Sequence, residues 1–216
     1  MSDILAPNEI ELESFKIITQ ELGKNSFRDI ELPIVKRVIH TTADFDFAKN
    51  LRFHPKAVET GIEAIKNGKD ILVDVRMVEA GINKQLLGKW GGRVICYLQK
   101  TEDRRQGTEK IRETKSERGI EIGLRENKNI GIIAIGNAPT ALFKVLKLLA
   151  AFSLPRTPYT LPLIIGVPVG FVRAVESKDE LARTQYPFIT ALGRKGGSTV
   201  AAAIVNALLK LSDEKN

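Results

Sequence analysis

Five short apolar runs, Ile71–Val75, Arg93–Leu98, Ile130–Gly136, Leu163–Val167 and Phe188–Leu192, are separated by stretches with helical patterning. Several of these runs are nearly all apolar. A strand covered on one face alternates in polarity, so runs without alternation predict strands covered on both faces. Strands of that kind alternating with helices predict a doubly wound α/β domain with a mostly parallel sheet in three layers. With five strands, the flavodoxin-like order 2-1-3-4-5 is expected over a full Rossmann fold.

An N-terminal helical extension precedes the alternating part. Residues 9–22 carry apolar side chains at positions 10, 15, 18 and 22, close to a 3.6-residue period, and Gly23 offers a stop. Pro33–Ile39 is short and either helical or extended. Pro55 is expected to open a helix through Asn67, with Gly68 just past its end. Gly197–Leu211 reads as an Ala/Val/Leu helix packed on the sheet, with Ser212–Asn216 fraying.

Polar and glycine clusters punctuate this pattern. His40-Thr41-Thr42-Ala43-Asp44, Gly136-Asn137-Ala138-Pro139-Thr140 and Gly193-Arg194-Lys195-Gly196-Gly197-Ser198 each follow an apolar run. In an open α/β sheet such turns lie outside the carboxyl ends of the strands, where ligands bind. An imidazole in one cluster and a guanidinium in another suit an anionic ligand with acid/base chemistry available. Each also has a bland reading. Gly136, Asn137 and Pro139 make a sound turn and cap without any ligand. Arg194 fits a carboxylate fork beside two adjacent glycines or a solvated surface turn. His40 fits a hydrogen-bonded structural role or a catalytic one, whereas His54, before Pro55, fits capping or solvent exposure.

Composition narrows the classes. At 216 residues and 43% apolar content, a single domain over residues 1–216 is expected. A chain of this length buries roughly 70% of its unfolded surface and needs no metal or disulfide for stability. The lone cysteine, Cys96, sits in an apolar run and reads as a structural thiol, consistent with a reducing cytoplasm. No apolar segment approaches the roughly 18 residues of a spanning helix, and the N-terminus lacks the features of an export signal. A membrane partner is therefore not expected. The net charge of +7 attracts polyanions, yet the aromatic content is only 6% and does not interleave with Lys/Arg. Nucleic acid is thus disfavoured against a polycarboxylate. In the charged segment Lys100–Lys128, Glu109, Glu113, Glu117 and Glu121 form an i+4 stripe beside Arg112, Lys115 and Arg118, read as a solvated helix face. There is no dinucleotide fingerprint, Walker A sequence, nucleophile elbow or metal-ligand spacing.

The ordered set of motifs resembles the precorrin-8X methylmutases (precorrin isomerases) of cobalamin biosynthesis. The matching stretches include Ile39–Asp46, Ile71–Ile82, Ile135–Phe143, Gly166–Val172, Glu176–Lys178 and Gly193–Ala203. The resemblance runs from about Glu9 to Leu209. It implies a flavodoxin-like α/β homodimer without a cofactor that moves a methyl group between adjacent carbons of ring C in a corrinoid precursor. It also implies an active-site histidine at His40, an arginine at Arg37 and a serine at Ser14. One departure matters. The family usually carries Thr-Arg-Ser-Ala-Ala-Ala before the Ile130–Gly136 run, where this chain has Thr114-Lys115-Ser116-Glu117-Arg118-Gly119. Lys115 keeps the charge and loses the bidentate fork.

A methyl shift across a conjugated macrocycle requires a held tautomer and one proton, not a nucleophile or a redox centre. Histidine suits that task because its ordinary pKa is about 6.5. His40 is therefore expected to act as general acid toward ring C. Arg37, Arg194 and Lys115 are expected to grip the carboxylate arms, with Ser14 and the Asn137 loop adding hydrogen bonds. Two alternatives remain open at this level: a non-catalytic corrinoid carrier, and a flavin- or nucleotide-binding protein using the Gly136 or Gly193 turn.

Overall fold

The computed structural model describes residues 6–98, 113–151 and 161–214. Helix α1 (Pro7–Leu22) starts where the Glu9 carboxylate accepts the Ala6 backbone N–H at 2.7 Å, and it stops at Gly23 with φ +53°. Helix α2 (Leu32–Thr42) resolves the ambiguity at Pro33–Ile39. Its buried residues Ile34, Val35, Val38 and Ile39 recur at helical spacing. It ends at Ala43, which adopts a left-handed conformation with φ 51° and donates its N–H to the Ile39 carbonyl at 2.7 Å.

A short helix α3 (Phe47–Asn50) leads into strand β1 (Leu51–Phe53). Helix α4 (Ala57–Lys66) begins two residues after Pro55, which belongs to the preceding turn and not to the helix. Then follow β2 (Asp70–Val73), α5 (Arg76–Gly81), α6 (Lys84–Gly88), β3 (Val94–Ile95), α7 (Lys115–Glu126) and β4 (Ile130–Ile135). The chain continues through α8 (Pro139–Ala151), β5 (Leu163–Gly166), α9 (Ala174–Ala182), β6 (Phe188–Ala191) and α10 (Ser198–Glu214).

The sheet has six strands in the order β1-β6-β5-β4-β2-β3, so the five-stranded expectation is corrected. All neighbours are parallel except β1, which pairs antiparallel with β6 through Leu51↔Ala191 and Phe53↔Ile189. Among themselves the parallel strands stand as β3-β2-β4-β5-β6. Strand β1 has only three residues, too few for the Leu51-Arg52-Phe53 alternation to stand out as a period. At the other edge, only Val94 and Ile95 of the expected Arg93–Leu98 run pair with β2.

Every residue of β2, β5 and β6 is buried, because helices cover both faces. Helix α10 packs on α2, α4 and α5 over one face, while α7, α8 and α9 cover the other. Two apolar clusters result, one including Ile34, Val38, Ile71 and Ile204, the other including Leu72, Ile133, Leu142 and Leu181. Neighbouring strand residues Ile71 and Leu72 therefore feed opposite cores, as a two-residue period requires. Each fully buried Ile or Leu contributes about 1.5–3 kcal/mol relative to exposure.

The charged stripe is more than a solvated face. Glu109 and Arg112 lie outside the described residues. Glu113 precedes α7 and, with Glu121 at 2.7 Å, pairs with Lys144 of α8, whose side chain is only 13% exposed. That hydrogen bond from Lys144 holds the Glu121 carboxyl below its ordinary range. Glu117 instead closes a capping box with Thr114, which accounts locally for an acidic residue at this position. Among the described residues, no helix is long and apolar enough to cross a membrane.

Candidate active site at the strand tips

The parallel strands deliver their turns to one edge of the sheet. After β2, Asp74 is buried and its carboxylate accepts the backbone N–H groups of Gly136 at 3.0 Å and of Asn137 and Ala138 at 2.8 Å. Burial pushes the Asp74 carboxyl up, and the three backbone donors oppose that shift. These donors sit at the start of α8, where the first turn of a helix has no intrahelical acceptors. The turn is tight because a Cβ at Gly136 would lie 2.8 Å from Ser198 Cα and from Val78. Asn137 is left exposed at the tip. Next to it, the hydroxyls of Thr114 and Thr140 meet at 3.0 Å, which sets Lys115, the first residue of α7, beside the Asn137 turn.

The turn after β6 is built differently. Gly197 donates its N–H to the Val167 carbonyl at 2.8 Å, and a Cβ at Gly196 would lie 2.2 Å from that same oxygen. Only glycine permits so close an approach. The fully buried Lys178 of α9 donates from Nζ to the Lys195 carbonyl at 2.8 Å. Burial lowers the Lys178 ammonium to about 8. The Lys195 side chain reaches back to Asp44 at 2.6 Å and Asp46 at 2.7 Å, directly beyond the end of α2. Arg194 is exposed, with its guanidinium 5.1 Å from the centre of the Phe171 ring.

His40 occupies the last turn of α2. Its ring stacks on Phe15 of α1, with centroids 5.1 Å apart and planes 14° from parallel. The Arg37 guanidinium lies 4.7 Å from the centre of the same Phe15 ring and bonds Glu11 at 2.6 Å. Lys210 reaches Glu11 at 3.1 Å, and these two cations hold its carboxyl below the ordinary range. Ser14, adjacent to Phe15 in the chain, donates its hydroxyl to the Ile10 carbonyl at 2.7 Å. Arg37, Phe15 and Glu11 line a groove of about 670 Å³ between α1, α2 and α10.

The six residues singled out by sequence thus fall into three places. Ser14, Arg37 and His40 gather around Phe15. Lys115 and Asn137 flank the Thr114–Thr140 contact. Arg194 stands on the third turn, joined to the His40 helix through Lys195. The structure adds Phe15, Asp74, Lys178 and Lys195. Phe15 already carried a signal on the apolar face of α1, and Asp74 as an acid ending an apolar strand. Lys178 lay in the Glu176–Lys178 stretch of the resemblance with no role assigned, since its burial depends on distant elements.

Other candidates resolve simply. The His54 ring accepts the Lys56 N–H at 3.2 Å within the turn before α4, whose first helical turn has no side-chain cap, and burial followed by the Lys56 charge lowers its pKa. Cys96 is half-buried and burial pushes its thiol up, away from nucleophile chemistry. Among the described residues, no group of three or more His, Cys, Asp or Glu converges to hold a metal ion.

Exposed apolar side chains share the strand-tip edge with the cations. Phe171 is 83% exposed and Val172 79%, on the β5–α9 connection, and Met77 is 69% exposed after β2. Arg76 and Arg173 are also exposed there. An edge of an α/β protein that pairs guanidinium groups with bare apolar surface, with an imidazole on an adjoining helix, has the chemistry to hold an amphipathic polyanion.

Comparison with known proteins narrows that class. The family profile for precorrin-8X methylmutase (CbiC) matches residues 9–211. A cobalt-precorrin-8 methylmutase of Priestia megaterium is 44% identical over 207 residues, covering 96% of this chain and 89% of its own. A precorrin-8X methylmutase of Pseudomonas aeruginosa is 42% identical over 174 residues, covering 80% of each chain. The crystal structure of a precorrin-8X methyl mutase from Thermus thermophilus superposes with a TM-score of 0.80 at 36% identity, covering 95% of this chain and 98% of that one. The chain belongs to the precorrin-8X methylmutase family.

Proposed function

We propose that this chain catalyses intramolecular methyl migration within ring C of a precorrin-8-type corrinoid, as an isomerase of cobalamin biosynthesis. The relatives at 44%, 40% and 41% identity are named for the cobalt-bearing substrate, which supports cobalt-precorrin-8 as the form used, with cobyrinate as product. No comparison supports a non-catalytic carrier, since the relatives are named for the reaction.

The observation that carries the mechanism is the position of His40, one helical turn from Arg37 on α2 and tethered to the Arg194 turn through Lys195. In the proposed mechanism, Arg194 and Lys115 bind carboxylate arms at the strand tips. Phe171 and Val172 offer apolar contact to the face of the macrocycle. A further arm replaces Glu11 on Arg37, turning an internal ion pair into a substrate contact. Ser14 and the Asn137 turn add hydrogen bonds. His40 donates a proton to ring C while the methyl group moves between adjacent carbons of the held tautomer, and it takes a proton back as the more conjugated product forms, so the proton count is unchanged.

Helix α1 exposes Ile10 and Ile17 two turns apart on one face, which supports a homodimer formed with a second copy. A single cysteine supports a cytoplasmic setting.

The test is spectroscopic. Mixing the protein with cobalt-containing and metal-free precorrin-8 in separate cuvettes should give the spectrum of the more conjugated corrin, faster with cobalt. No change with either substrate overturns the reading. His40→Ala should lower turnover by about 10²–10⁴-fold while leaving corrinoid binding largely intact. Turnover at the normal rate removes His40 as the acid.

A further inference from the structure

We infer that Lys178 is a positioning residue, whose buried ammonium pins the Gly193–Ser198 turn and, through Lys195, sets the end of the helix that carries His40. The inference rests on the methylmutase reading of His40 and Arg194 given above.

Lys178 is fully buried, although lysine almost never is unless its charge is matched. Among the described residues it has no carboxylate at ion-pair distance. Among those residues its ammonium makes one hydrogen bond, to the Lys195 carbonyl at 2.8 Å. Taking an ammonium out of water for a single carbonyl is costly, and an apolar side chain would fill the space more cheaply. Such a residue does little for stability, so its effect lies in what it holds.

The turn it holds has few alternatives. Gly197 bonds Val167 at 2.8 Å, Gly170 donates to the Arg194 carbonyl at 3.2 Å, and Gly196 sits too close to Val167 for any side chain. With its carbonyl fixed from below, Lys195 projects its own ammonium onto Asp44 and Asp46. These acids flank the carbonyl end of α2, where a positive charge is favourable. Ala43, between that end and Asp44, is already in the left-handed region at φ 51°. The helix end is thereby held at a defined distance from Arg194. Two lysines thus act in series, one buried and one exposed, between α9 and α2.

The experiment compares Lys178→Met, Lys195→Met and the double variant. Backbone amide exchange at Gly197 and Gly170, measured without substrate, should rise about tenfold in Lys178→Met, with the melting temperature unchanged or raised. Turnover of precorrin-8 should fall by up to about a hundredfold, the loss expected for roughly 1 Å of misplacement, with KM changing much less than kcat. Because the lysines act in series, the double variant should be no slower than the worse single variant. Unchanged exchange, or losses that multiply in the double variant, overturns the inference. Lys195 is exposed, so Lys195→Met will fold even if Lys178→Met does not, and unchanged kcat in that variant overturns the inference by itself. If the wild-type protein fails to turn over either form of precorrin-8, the methylmutase reading falls, while the exchange data still decide whether Lys178 holds the turn.

Discussion

The turns after β4 and β6 perform the same topological task, passing from a parallel strand into a covering helix, yet they are held by opposite charges. Asp74 grips the first by three backbone N–H groups at the start of α8. Lys178 grips the second by one carbonyl at Lys195. The protein's own carboxylate therefore occupies the anion-favouring start of α8, where a bound anion would otherwise sit. At the start of α10, among the described residues, no acidic side chain takes that place. On the proposed reading, the difference leaves the Asn137 turn a side chain at most to offer and makes the Arg194 turn the better anchor for a carboxylate arm. It also separates stability from positioning. Three satisfied donors around a buried carboxylate secure the fold, whereas one buried ammonium on one carbonyl secures a geometry.

The largest expected effect would break this contrast directly. Asp74→Ala takes the acceptor from three backbone donors, that of the buried Gly136 among them, and should destabilise the protein by about 3 kcal/mol, read from urea unfolding. A smaller loss would mean that the donors find other acceptors and that the two turns are not held differently. Lys178→Met should behave in the opposite sense. The folded protein holds this lysine at a pKa of about 8 against 10.5 for an ordinary lysine, so between these values the unfolded chain binds the extra proton. Wild-type stability then rises with pH across that window. At pH 7 the methionine variant should be the more stable, by up to about 3 kcal/mol, and the gap should close by pH 10. A gap that stays constant with pH would show that Lys178 does not carry its charge into the core.

Smaller effects sharpen the comparison at the ligand. Arg194→Ala should weaken corrinoid binding about tenfold, the scale of a charge-assisted hydrogen bond, in a titration followed by absorbance. Asn137→Ala should weaken it only about two- to threefold, because a neutral side chain makes weaker contacts than a guanidinium. Equal losses at the two positions would place the carboxylate grip on both turns and remove the distinction.

Much of this arrangement was legible in the chain. The runs at Ile71, Ile130, Leu163 and Phe188 became buried parallel strands because a sequence apolar at successive positions can only be buried on both sides. The Gly136 and Gly193 clusters fell at strand tips because glycine and polar residues mark where an element ends. Other features lay outside its reach. The six-residue run at Arg93 pairs through two residues only, since edge position depends on which strand lies alongside. The stripe at Glu113 and Glu121 looked solvated because its partner, Lys144, lies on another helix.

Periodicity and punctuation determined the layers, the parallel sheet and the turns that could carry chemistry, since each depends on residues near one another in the chain. Only the tertiary structure decided that Phe15 is shared by His40 and Arg37, that Asp74 closes the α8 turn, and that Lys178 holds Lys195. The pattern of a segment specifies which face it buries. It does not specify the distant group that face will meet, because that choice belongs to the packing of the whole core.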